Sequence, residues 1–169
     1  MTSKDWTDSL LESLAGSHSR DELEPYHVTA RMSRIAQHLA RRQEEAFGRF
    51  KLNRGEVGVL AALLLAGSDR KLSPTQLFKG LMLSSAGITS RLDRLESRGY
   101  IQRSRHPTDR RGVLVGLTSA GRRVLDQAVS ADAALEREWL AGLTAKDKRS
   151  LVALLRKLLA GLEANDQEA

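Results

Sequence analysis

Residues 84–117 read SSAGITSRLDRLESRGYIQRSRHPTDRRGVLVGL, and the spacing of their apolar residues changes once. Up to Gly99 the period is helical. At about 100° per residue, Ile88, Leu92 and Leu95 fall in one arc and must face a core. The opposite side presents Ala86, Gly87, Ser90, Asp93, Arg94 and Ser97. From Tyr100 onward, YIQRSR and GVLVGLT carry strand-like alternation and β-branched residues. The polar HPTDRR joins them, with Pro107 and Gly112 suited to a turn. The stretch therefore predicts a helix from Ser84 or Ser85 to about Gly99, followed by a β-hairpin.

Just upstream, LSPTQLFKGLML supplies Ser73 as an N-cap and Pro74 at the first helical position, which predicts a short helix over about 73–80. Two closely spaced helices of this kind match the helix-turn-helix layout, whose second helix lies in the DNA major groove. Small residues in the first two turns of that helix let its backbone approach base edges, and Ser90 can donate or accept there. The amides near Ser84 and Ser85, at the positive end of the helix dipole, suit a phosphate. A hairpin directly after such a helix reads as a wing whose tip lays Arg into the narrow minor groove. Seven arginines between Arg91 and Arg111 face three carboxylates, so this segment holds +4 of the net charge of +6. Asp109, two positions before Arg111, could hold that guanidinium in place. Arg103, Arg105 and Arg110 are expected at phosphates along the wing, and His106 at DNA or solvent.

Farther out the pattern is helical again. A piece with Trp6, Leu10, Leu11 and Leu14 is expected to end in the turn-like AGSHSRDE. A helix from Pro25 to about Phe47 carries Val28, Met32, Ile35 and Leu39 at helical spacing. Asn53 is expected to cap a nearly all-apolar helix that ends at Gly67. Beyond the hairpin, a helix capped by Thr118 or Ser119 places Leu125, Val129 and Leu135 on one side. A last helix with a capping-box start at Thr144 carries Leu151, Leu154, Leu155, Leu158, Leu159 and Leu162. That stripe is wider than a small domain needs, which leaves intrachain core and subunit interface both open. The expected fold is mainly α (α+β): a winged helix-turn-helix lobe at 51–120, flanked by dimerisation helices at 1–50 and 121–169.

Composition excludes several classes. The chain of 169 residues is 41% hydrophobic, enough for a core, and has no Cys, so disulfides, thiolate metal sites and a Cys nucleophile are ruled out. The four His (18, 27, 38 and 106) show no H-E-x-x-H spacing, and no nucleophile motif or Gly-rich phosphate loop is present. The sequence therefore predicts no enzyme, no cofactor and no metal site. The start lacks the pattern of a signal peptide, and no apolar run reaches 18 residues, so a cytoplasmic protein without a membrane partner is expected. An architectural DNA binder without effector control and a metal-responsive regulator are the competing readings.

The segment ITSRLDRLESRGYIQRSRHPTDRRGVLVGLTSAGRRVL (88–125) resembles the MarR family of winged-helix transcriptional regulators. Its signature is LDxLExxG followed by a hairpin R…P.D.RxxxVxLTxxG, and the resemblance covers residues 53–125, with flanking helices like the family's dimerisation arms. The resemblance implies that Arg111 is the minor-groove arginine and Asp109 its orienting partner. It also places Ser84, Ser85, Thr89 and Ser90 at positions used for groove or phosphate contact. With Ser73, Ala86, Arg94, Arg103, Arg105, His106 and Arg110 these residues form the expected DNA-binding set. The family implies a homodimeric repressor on double-stranded DNA, at a pseudo-palindromic operator, released by a small phenolic or anionic effector.

Residues 31–63, RMSRIAQHLARRQEEAFGRFKLNRGEVGVLAAL, are similar to the family's urate-responsive branch, which has an extra N-terminal helix. Arg91 matches that branch's ligand Arg. Gly58 stands where the branch has Asp, and the Trp position falls near Leu14 while the nearby Trp is Trp6. Urate binding is therefore not carried over. Arg91, Trp6, His27 and His38 are the expected effector-binding residues.

Overall fold

The computed structural model describes residues 4–67, 71–81, 85–109 and 112–168, with backbone only at residues 80, 85, 86 and 165–168. In chain order the elements are α1 (Trp6–Leu14), α2 (Arg20–Leu23), α3 (Tyr26–Gly48), α4 (Arg54–Ala66), α5 (Pro74–Leu81) and α6 (Ser85–Ser97). Then come β1 (Ile101–Arg105), β2 (Val113–Leu117), α7 (Ser119–Trp139) and α8 (Ala145–Glu168). Two compact units divide the chain, residues 1–128 and 129–169, and the boundary falls within α7.

The helix starts follow from local chemistry. Asn53 accepts from the Glu56 amide while Glu56 accepts from the Asn53 amide, so two otherwise orphaned donors are satisfied reciprocally. Thr144 and Asp147 repeat this at α8. So do Ser19 and Glu22 at α2, a helical turn where the sequence suggests only a loop. Gly99 ends α6 with φ of 70°, and the Tyr100 amide reaches back to the Leu95 carbonyl at 2.9 Å, a Schellman closure.

In the first unit α4 packs against α3, α5, α6 and β2. Val59, Leu60 and Leu63 of α4 are buried, as are Leu77, Leu92, Leu95, Ile101, Val115 and Leu125 around it. This nearly all-apolar helix is covered on several sides, as a helix without a polar face requires, although Leu65 stays exposed. The inward arc of α6, Ile88, Leu92 and Leu95, is buried as the spacing predicts.

The hairpin is antiparallel, with Ile101 opposite Leu117 and Arg105 opposite Val113. Leu72 adds a one-residue bridge to the free side of β2 through two hydrogen bonds with Val115, of 3.0 and 2.8 Å. The sequence does not foretell this bridge, because a single paired residue has no periodicity.

Thr118 ties the hairpin to α7. Its hydroxyl accepts from the Gly121 amide at 3.0 Å and lies 2.7 Å from the Gly99 carbonyl, to which it donates. Its amide donates to the Tyr100 carbonyl. The approach is so close that a Cβ at residue 121 would collide with that carbonyl oxygen, so only glycine fits there.

The N-terminal helix is held by charge as well as by apolar contact. Leu11 and Thr7 are buried, while Trp6, expected on the apolar face, is exposed beneath the Arg34 guanidinium, 4.7 Å from the ring centroid. Arg31 of α3 bridges Asp5 at 2.8 Å and Asp8 at 2.5 Å. Several expected apolar positions are also exposed: Val28 and Ile35 on α3, Val129 on α7, and the whole leucine stripe of α8, up to 66% at Leu154. Within the second unit that stripe is uncovered. Among the described residues no helix is long and apolar enough to cross a membrane.

The amide of Asp5 and then Arg31 hold the Asp8 carboxyl below its usual range. At Asp5 desolvation pushes upward, but the Asp8 amide and Arg31 more than reverse it. Groups lowered on folding stabilise above the unfolded value of about 3.9, and that contribution disappears as pH falls through the folded value. Amide protection across α1 is therefore expected to hold down to about pH 4 and to fall below it, before protection of α4. Hydrogen exchange at stepped pH checks this, and equal acid sensitivity of α1 and α4 would contradict it.

Candidate nucleic-acid interface

The surface facing away from the core is built on α6 and the wing. Thr89, Ser90, Asp93, Arg94 and Ser97 are exposed along α6. Ser84 lies outside the described residues, as do the side chains of Ser85 and Ala86. Ser73 sits at the start of α5 with its hydroxyl engaged: it accepts from the Gln76 amide at 3.2 Å. The Ser73 amide donates to Gln76 Oε1 at 2.8 Å.

Arg94 is not free-standing. Its Nε donates to Glu56 Oε1 at 2.7 Å, and its Nη1 donates to Ser90 Oγ at 2.6 Å. Glu56 is only 2% exposed, and its other oxygen accepts from the Asn53 amide at 3.0 Å. A buried carboxylate needs such partners, because its desolvation is otherwise uncompensated. The capping box of α4 thus also anchors the exposed helix α6. Sequence reasoning finds the Asn53 cap but misses Glu56; the signal was the Glu three residues after the cap.

Arg91, one turn earlier, lies against Gly55, where any Cβ would run into its Nε. Its Nε and Nη1 are buried, with no hydrogen-bond partner among the described residues.

In the wing, Arg103 is expected at a phosphate, yet it carries two carboxylates of α6. Nη1 meets Glu96 Oε2 at 2.9 Å, and Nη2 meets Asp93 Oδ1 at 2.7 Å. Its amide also donates to Glu96. The guanidinium therefore clamps β1 to α6 at a fixed angle, and its charge is largely neutralised. Arg105 at the end of β1 is exposed.

His106 organises the turn. Its Nδ1 accepts from the Asp109 amide at 3.2 Å, and its own amide donates to the Gly112 carbonyl. The Gly112 amide in turn donates to the Asp109 carbonyl. Arg110 and Arg111 lie outside the described residues, and so does the expected Asp109–Arg111 pairing.

The expected effector residues are not brought together. Trp6 lines a cavity of about 440 Å³ with Tyr26, Arg34 and Gln37. His27 lines another, of about 380 Å³, with Asp8, Glu12 and His18. His38 is exposed on α3, and Arg91 is on α6. Among the described residues no group of three or more His, Asp or Glu is placed to hold a metal ion.

Removing Arg94 would take the charged partner from Glu56 Oε1 and leave the Asn53 amide on the other oxygen. Arg94→Ala is expected to destabilise the fold by about 2–3 kcal/mol, somewhat less than a fully buried pair because Arg94 is half-exposed. Urea denaturation checks this, and a midpoint equal to wild type would show that the pair holds nothing.

Comparison with known proteins agrees with this geometry. The MarR family profile matches residues 58–113. The transcriptional regulator PecS of Dickeya dadantii is 33% identical over 137 residues, which cover 81% of this chain and 82% of that protein. The multiple antibiotic resistance protein MarR of Salmonella typhimurium is 36% identical over 102 residues, covering 60% of this chain and 69% of that protein. Among solved structures, a single-substitution mutant of Escherichia coli MarR complexed with operator DNA superposes with a TM-score of 0.69 at 29% identity. That match covers 83% of this chain and 99% of the other. The chain belongs to the MarR family, and it is a DNA-binding transcriptional regulator, not an enzyme.

Proposed function

We propose that this regulator is a homodimeric repressor that binds a pseudo-palindromic operator and is released by a small anionic or aromatic ligand. In this reading residues 51–120 form the DNA-binding lobe, and residues 1–50 and 121–169 supply the dimerisation helices. Helix α6 enters the major groove with Thr89 and Ser90, and its first amides near Ser84 and Ser85 meet a phosphate. The wing reaches the minor groove through Arg111, with Arg105 and Arg110 along the phosphates.

The observation that carries the reading is the exposed polar face of α6, held rigid by Glu56 beneath it and by Arg103 beside it. A groove-reading helix needs its register fixed before contact, since ordering it on binding would reduce affinity.

Dimerisation is supported by the exposed leucines of α8 and the exposed Tyr26, Val28 and Ile35 of α3. Apolar stripes of this extent mark protein interfaces. An effector is supported by Arg91, whose buried Nε and Nη1 lack partners among the described residues and would gain from an anion. A ligand there acts by binding one spacing of the two recognition helices more tightly than the other.

Arg111→Ala should weaken operator binding at least tenfold, and Arg156→Ala on α8 should leave it nearly unchanged, in gel-shift titrations. The logarithm of the affinity should also fall steeply with the logarithm of salt concentration, because phosphate contacts release counterions. Equal effects of the two substitutions would remove the wing from the interface. Replacing both Leu155 and Leu158 by Glu should convert a dimer to a monomer with unchanged helix content. Light scattering with circular dichroism reads the outcome, and a persistent dimer would exclude the α8 stripe.

A further inference from the structure

A serine hydroxyl can donate or accept, so on a groove-facing helix it reads little unless one role is already taken. In α6 one role is taken. Arg94 Nη1 lies 2.6 Å from Ser90 Oγ, and a guanidinium has no acceptor, so the serine oxygen must accept this bond. Arg94 cannot swing to relieve it, because Glu56 Oε1 holds its Nε at 2.7 Å. Glu56 is itself buried and fixed by the Asn53 amide. The polarity of the whole chain of bonds is thus set from the cap of α4 outward. What remains at its exposed end is the hydroxyl proton of Ser90, which the adjacent positive charge drives away from Arg94.

We propose that Ser90 is a hydrogen-bond donor of fixed polarity and selects against cytosine at the base it meets. The inference rests on the placing of α6 in the major groove above, and deepens it. Guanine offers N7 and O6 to a donor there, adenine N7 and thymine O4, whereas cytosine presents only its N4 amino donor. A donor facing a donor loses the bond and leaves both groups desolvated. The same guanidinium repels a second donor, so accepting through the remaining lone pair of Ser90 is disfavoured too. Glu56 and Arg94 then act as positioning residues for sequence choice, although Glu56 cannot touch DNA.

Selection from a random duplex library by the full-length protein, followed by sequencing, tests this. The wild type should show one position per half-site at which cytosine is depleted about fivefold on the strand facing Ser90, the size of one net hydrogen bond. Ser90→Ala should flatten that position alone, and Ser90→Thr, which keeps the hydroxyl, should retain it. Glu56→Gln keeps Ser90 but loosens Arg94, and it should readmit cytosine at the same position without altering the others. A position that responds to Ser90→Ala but favours cytosine would overturn the polarity. A wild-type operator unchanged by Ser90→Ala would overturn the role of Ser90 while leaving the groove reading intact. A wild type that enriches no sequence would overturn the groove reading and this inference together.

Discussion

A single buried carboxylate, Glu56, fixes the exposed helix α6 against the core. It lies in the first turn of α4, the most enclosed helix of the first unit, and it holds Arg94 of α6 from below. Because it also closes the capping box with Asn53, its position is as well determined as the start of α4 itself. The orientation of α6 about its own axis is thereby set by the core. Ion pairs of this kind are poor sources of net stability, since desolvation consumes much of the attraction. Their strength lies in direction: a guanidinium bound through Nε presents Nη1 at a definite place.

The wing is fixed by the same chemistry used differently. Arg103 spans Asp93 and Glu96 of α6, so the first strand of the hairpin is tied to the helix before it. Thr118 and Gly121 close the other end, where α7 approaches the Tyr100 carbonyl. Of the arginines crowded into this segment, Arg94 and Arg103 are thus structural in the free protein. The crowding of positive charge is milder than the composition suggests, because carboxylates ten or fewer residues away already offset Arg103. This division separates arginines bound to carboxylates of the fold from those such as Arg105 that stand exposed.

The flanking helices follow another logic. Their polar faces are ordinary, but α3 leaves apolar residues exposed within the first unit, and α8 leaves its leucines exposed within the second. An exposed stripe of this length is unfavourable for an isolated chain, and burial against a second apolar surface at roughly 25 cal/mol per Å² relieves it.

Sequence alone determined the order of the longer helices, the helix-turn-helix followed by a hairpin, the caps at Asn53, Ser73 and Thr144, and the inward face of α6. These depend on periodicity and on bonds three or four residues apart, which a linear reading sees. It also pointed to the wing as the basic element. Only the tertiary structure decided that Arg94 serves Glu56, 38 residues away, and that Arg103 serves α6. The Leu72 bridge, the contact that requires Gly121 and the exposure of Trp6 were settled there as well. An arginine in a basic run looks the same whether it faces a phosphate or a carboxylate. The difference lies in which distant acid the packing of α4 against α6 brings within reach, and that is a property of the folded chain.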